Sequence, residues 1–270
     1  MPPFLKLLKW CVVFIILSVA DARGRDYSLS IVVVDSSLFA TDVFVLQIDG
    51  TISRNMASDL ARLFDAKNLS NSTSRLLVLL NSSGGDGYAA IAIGEIFRSL
   101  DAHVFVTGRC DSACVFLLAG GVIRGASAYT VGLHRARVMS GNTGANGNTD
   151  GVGAETPEYV EILRQFEQRA ARYLEAMGID EEVQETMLRY QRRTVYRLAL
   201  EQLIASNLVG VNIDGFDDIS QSFGGNFDSQ IVSTDALKSR ILSVAMRCSQ
   251  YGQRPTDFTA CYWRFLSSPY

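Results

Sequence analysis

Short apolar runs and stretches of helical spacing alternate along this 270-residue chain. Residues 29–34 and 43–48 are apolar and strand-like, and residues 49–51 make a turn after the second run. Residues 53–66 carry Met56, Leu60 and Leu63 at helical intervals. Residues 76–80 are continuously apolar, the pattern of a strand buried on both faces. A glycine turn follows, then a helix over 88–100, a strand at 104–106, a helix beginning within 112–118 and a strand at 129–133. Strand, glycine turn and helix in repetition predict parallel βαβ connections and an α/β domain. Residues 140–153 shift to Gly, Asn, Thr and Asp, a loop composition. Thr156 and Pro157 then mark the N-cap and first position of a long amphipathic helix. Its face of Tyr159, Ile162, Leu163, Phe166, Ala170, Leu174 and Met177 predicts a core stripe or a subunit contact. Helical segments at 181–188 and 200–206 follow. The remainder opens turn-rich at 214–229, continues as a short helix at 234–247 and ends in a Cys-bounded aromatic tail.

The N-terminus stands apart. Lys6 and Lys9 precede an apolar run over 10–19, and Ser18, Ala20 and Ala22 offer small-residue cleavage sites. This is the pattern of a secretory signal peptide, and it predicts export to the periplasm or the medium. The alternative is an uncleaved anchor, although the run is shorter than the roughly 20 residues that span a bilayer comfortably. The expected division is a signal over 1–22, an α/β domain over 23–211 and an extension over 212–270.

Export changes the reading of cysteine. Cys11 lies in the signal, so Cys110, Cys114, Cys248 and Cys261 remain, and in an oxidising compartment they predict two disulfides. Pairing sequence neighbours joins Cys110 to Cys114 and Cys248 to Cys261. The rival readings are buried free thiols or a nucleophilic Cys110, which has no adjacent His. Asn68, Asn71 and Asn81 begin N-x-[ST] triplets, glycan acceptors only in a eukaryotic secretory path.

Composition then excludes several classes. A net charge of −3 gives no basic footprint for nucleic acid. Two histidines, His103 and His134, leave no His-rich metal site, and neither a zincin motif nor a phosphate-binding P-loop occurs. No cofactor or metal is implied.

The chemistry concentrates between residues 76 and 135. L-L-V-L-L-N-S-S-G-G-D-G places Gly84 and Gly85 after a buried strand, where they expose backbone N–H groups to an oxyanion. G-R-C-D-S-A-C-V-F-L-L-A-G-G sets Ser112 where a strand passes into an apolar helix, so the dipole and the next N–H face it. Y-T-V-G-L-H-R-A ends a strand in His134. Taken singly these are an N-cap, a turn and a strand-end histidine. In this order and spacing they resemble the Clp protease proteolytic subunit and its relatives in the ClpP/crotonase superfamily. That family's I-N-S-P-G-G is matched by residues 80–85 and its A-S-M-G-A-F-L-L-A-A-G by residues 111–120. V-F-V-L-Q-I-D-G-T-I resembles its first core strand and turn. The likeness runs over about residues 43–211, and export with C-x-S-A-C looks most like the secreted or periplasmic ClpP-like group.

The resemblance implies a ClpP/crotonase-like spiral of ββα units with a projecting long helix, here followed by a disulfide-tied extension. It implies Ser112 as nucleophile, His134 as base, and the N–H groups of Gly85 and Ala113 as oxyanion hole. His103, at the head of a buried strand, reads as structural. The family's acid falls at Val195, beside Thr194 and Tyr196, where no carboxylate stands. Asp150, Glu155 and Glu185 are candidate replacements, and a Ser–His dyad or a His134 held by a backbone carbonyl would dispense with one. A Ser–Lys dyad is disfavoured because Lys67 and Lys238 lie outside the motif region. The expected function is an exported serine hydrolase acting on peptides or unfolded protein. The alternative is a non-catalytic ClpP-like assembly or binding protein, and acyl-CoA chemistry is disfavoured by export. Homo-oligomerisation through the 156–177 helix is implied, with no nucleic acid partner and no ATPase partner after export.

Overall fold

The structure, a computed structural model, describes residues 26–34, 43–67, 75–137, 156–190, 194–211 and 234–267. The proposed signal, the 140–153 and 214–229 segments, Asn68, Asn71, Asp150 and Glu155 lie outside them. Strands β1 (Tyr27–Val34), β2 (Val43–Gly50), β3 (Arg75–Ser82), β4 (His103–Asp111), β5 (Ile123–Gly125) and β8 (Gly210–Val211) form one sheet in that order. β2 to β5 run parallel, while β1 and β8 are antiparallel edges. β6 (Val131–Leu133) pairs parallel with the end of β4, and β7 (Tyr196–Arg197) pairs antiparallel with β6. The parallel centre explains the unbroken apolar run of β3. Its first six residues are all buried, because helices cover the sheet on both faces.

Helices α1 (Arg54–Ala66), α2 (Gly87–Ser99) and α3 (Cys114–Ala119) supply the first cover. Asp86 starts α2 by accepting the N–H of Ala89. Thr156 does the same for α4 (Pro157–Ala176), accepting the N–H of Tyr159. The predicted stripe of α4 is only partly core. Leu163, Ala170, Leu174 and Met177 are buried, joined by Tyr173, but Ile162 is exposed. α5 (Glu181–Arg189) and α6 (Leu200–Ala205) lead on to the edge strand β8.

The Cys-bounded aromatic tail, for which the sequence reading gave no element, is a helix. After α7 (Thr234–Cys248) and a 3-10 turn at Ser249–Tyr251, α8 runs over Pro255–Ser267. Pro255 opens it, and Phe258, Tyr262 and Leu266, four apart, are fully buried on one face. Side-chain alternation along β4 sends His103 and Phe105 towards this helix and Val104 towards the α3 side. Each large side chain buried here contributes about 1.5–3 kcal/mol. Disulfide Cys248–Cys261, with Cα atoms 5.7 Å apart, staples α7 to α8.

His103 is structural in this arrangement. Its Nδ1 lies 2.5 Å from the Tyr262 hydroxyl. Burial pushes the imidazole well below its ordinary range, and Arg75 pushes the same way. Burial also raises the Tyr262 phenol, which therefore stays protonated and can donate to a neutral His103. Below the unfolded value of about 6.5 the unfolded chain takes up a proton that the folded one refuses. Stability from this group is complete above that pH and is lost as pH falls towards the lowered folded value. Between pH 6.5 and 5, wild type is expected to lose up to about 1.4 kcal/mol per pH unit more than His103→Gln. Melting curves of both proteins across that range check this; parallel slopes would contradict it.

Candidate active site

The C-terminal ends of β3, β4 and β6 meet at one place. At the end of β3, Asn81 donates to Asp49 Oδ1 at 3.0 Å and accepts the Arg109 N–H at 3.2 Å, so this side chain is already engaged. The Gly84 N–H donates to Ser82 Oγ at 3.1 Å. Ile52 then brackets the turn: its N–H donates to the Gly84 carbonyl and its carbonyl accepts the Asp86 N–H, both at 2.8 Å. In that parallel bridge the N–H of Gly85 is turned away from Ile52. φ values of +94° at Gly84 and +146° at Gly85 make glycine the fitting residue at both.

Beside this turn β4 ends at Asp111, and Ser112 follows with φ +56°, unusual for a residue with a side chain. Its N–H donates to the Gly132 carbonyl at 2.8 Å, which hangs the corner on β6. The sequence suggested a serine at the helix start, but α3 begins two residues later. Ala113 holds the N-cap position, with no side-chain cap bond. The serine hydroxyl therefore does not serve as a cap. Gly84 lies against it: a Cβ built there would fall 2.7 Å from Ser112 Cβ and 3.1 Å from the Ala113 nitrogen. Among the described residues, neither the Gly85 nor the Ala113 N–H donates to a backbone carbonyl.

His134 leaves the end of β6 half-buried. Its Nδ1 lies 2.9 Å from the Arg135 carbonyl oxygen. A carbonyl only accepts, so Nδ1 carries the proton, and in the neutral ring Nε2 then keeps its lone pair. That is the tautomer a general base needs. Continuing the β6–β7 register, Gly132 with Arg197 and Leu133 with Tyr196, brings Val195 opposite His134. Of the candidate acids Glu185 alone is described; it is exposed on α5 and makes no hydrogen bond to His134.

Disulfide Cys110–Cys114, with Cα atoms 5.1 Å apart, closes over Ser112 and joins the end of β4 to the first turn of α3. Sequence reading missed a second tie. Asp111 is buried, and both its oxygens accept from Arg197, each at 3.0 Å. Asp111 stands inside a motif already singled out, but its partner is 86 positions away and nothing local announces it. None of the described residues forms a cluster able to hold a metal ion, and no described helix is long and apolar enough to cross a membrane.

An α/β sheet with a left-handed serine at a strand–helix corner, next to a glycine turn and a strand-end histidine, defines a Clp-type architecture. The Clp protease family model matches residues 30–189, more than half of the chain, and the chain belongs to that family. Among solved structures, a ClpP1 point mutant from Listeria monocytogenes is similar over 63% of this chain and 93% of its own, at 17% identity and a TM-score of 0.43. No curated protein matches.

Proposed function

We propose that this chain is an exported serine hydrolase, a peptidase acting on peptides or unfolded protein, with Ser112 as nucleophile and His134 as base. The observation that carries this reading is the Ser112 corner itself. A non-glycine residue held at φ +56° costs about 1–3 kcal/mol and persists only when its surroundings enforce it. Here the Cys110–Cys114 disulfide, the Gly84 contact and the Gly132 carbonyl enforce it around a hydroxyl that caps no helix.

In the reaction, Ser112 Oγ attacks the substrate carbonyl carbon while its proton passes to His134 Nε2. The oxyanion forms against the N–H groups of Gly85 and Ala113. Imidazolium returns the proton to the leaving amine, and water repeats the sequence to release the acid. The Arg135 carbonyl holds the ring in the productive tautomer, where Val195 offers no carboxylate. Peptide substrates and self-association are the habit of the family. The exposed Val160 and Ile162 on α4 support a contact between copies there, within the projecting-helix, spiral arrangement the resemblance implies. The basic, apolar N-terminal segment supports export.

Val195 favours the second reading, a non-catalytic assembly or binding protein that keeps the cleft. Fluorophosphonate labelling of the chain with intact disulfides separates the two. Hydrolase function requires covalent modification at Ser112, lost in Ser112→Ala; an inert wild type leaves only the second reading.

A further inference from the structure

We propose that Asp111 and Arg197 are positioning residues that hold Ser112 and His134 in mutual register, a role that rests on the hydrolase reading above. β6, which presents His134, is three residues long, and its outer neighbour β7 is two. Strands this short have few ladder bonds to fix their place. A slip of one residue along β6 would turn His134 to the opposite face of the sheet. The register across the three strands runs Asp111 to Gly132 to Arg197. The Asp111–Arg197 pair therefore spans β6 at Gly132, where a Cβ would collide with the Asp111 carboxylate and with the Val195 side chain.

Side chains two apart leave a strand on the same face, so His134 projects from the face that the pair crosses. Arg197 also donates to the Tyr129 carbonyl at 3.2 Å, just ahead of β6. One guanidinium thus holds the residue before the nucleophile and the approach to β6 while sitting on β7. The planar fork takes both carboxylate oxygens at once and so fixes direction as well as distance, which an ammonium cannot do. The Nδ1 of His134 is directed at the Arg135 carbonyl and not at Asp111, whose two oxygens face Arg197.

Among the described residues, a few titratable groups stand nearest the His134 segment on the elements packed against it. They are Asp111 from β4, Tyr196 and Arg197 from β7, Glu185, Arg189 and Tyr190 from α5 and its end, and Arg135 and Arg137 on the segment itself. Arg135 is paired to Glu167 of α4.

The test is the second-order rate of fluorophosphonate modification of Ser112 against pH. It uses the full chain with intact disulfides, as wild type, Arg197→Gln, Arg197→Lys and Asp111→Asn. Arg197→Gln is expected to lower the rate about tenfold or more, and Arg197→Lys to recover only part of it. Arg197→Gln leaves the Asp111 charge uncompensated and favours imidazolium, so the midpoint of the pH–rate curve moves up. Asp111→Asn leaves the guanidinium uncompensated and moves it down, each by on the order of half a pH unit. A purely structural tie would lower rates without opposite shifts. A labelled wild type whose variants keep its rate and midpoint overturns the positioning role alone; an unlabelled wild type overturns the hydrolase reading and this role with it. Should Arg197→Gln not fold, Asp111→Asn and Arg197→Lys carry the same comparison.

Discussion

Gly84→Ala should cut the labelling rate of Ser112 by about a hundredfold or more, a loss of the size seen when an oxyanion-hole donor is removed. The added methyl would sit 2.6 Å from the Asp111 carbonyl oxygen and 2.7 Å from Ser112 Cβ. Neither neighbour is a flexible side-chain end, and the backbone at φ +94° is already strained for alanine. Relief has to come from moving the glycine turn away from the serine corner, which separates the Gly85 and Ala113 amides. Together the φ and the overlap cost about 2–4 kcal/mol. At this chain length each kcal/mol lowers the melting midpoint by about 2–4 °C. Labelling kinetics and a melting curve on the same preparation check both effects. A variant that labels at the wild-type rate would show that the turn does not frame the serine.

Val195→Asp should act in the opposite direction and raise the Ser112 labelling rate at neutral pH by about tenfold or more. The Arg135 carbonyl already selects the tautomer of His134, so the large penalty of a wrong tautomer does not apply here. What the carbonyl does not provide is a negative charge to stabilise the imidazolium. Val195 stands opposite His134 and is 39% exposed, so an aspartate there replaces no core packing. Exposure also screens the new charge, which keeps the gain well short of the roughly 4 kcal/mol of a close pair near a surface. Arg197 is already held by Asp111 and competes weakly for the newcomer. The acidic limb of the pH–rate curve, where the ring loses its proton and becomes able to act as base, should move to higher pH, because a carboxylate favours the protonated ring. A variant that labels no faster than wild type would mean that charge beside His134 does not limit the reaction.

These two sites show what a sequence can and cannot carry. The parallel strands were legible because burial on both faces leaves an unbroken apolar run, as at Leu76 to Leu80. The N-terminus of α4 was legible because Thr156 and Pro157 announce it. Four cysteines in two short-range pairs pointed to the joins, and both are present. β7 and β8 were not legible, since two residues cannot display a period of two. α8 was missed although its signal stood in view: Pro255 at the first position, then Phe258, Tyr262 and Leu266 four apart. The other aromatic residues around them, Tyr251, Trp263 and Phe265, blur that spacing. The empty acid position could be counted off the chain and a backbone carbonyl named as one way to hold His134, but which carbonyl lies beside Nδ1, that of Arg135, could not. Nor could the φ of Ser112, which its cross-strand neighbours impose.

The family match ends at residue 189, yet α7 and α8 pack on β1, β2, β4, β5 and β8 and bury Phe105 between Phe258 and Tyr262. Homology and cooperativity thus draw different borders on this chain. A fragment cut at the homology border would bare a broad greasy sheet surface of the kind that recruits other molecules and precipitates. For this protein the stretch that matches the family and the unit able to survive alone in water are two different lengths of polypeptide.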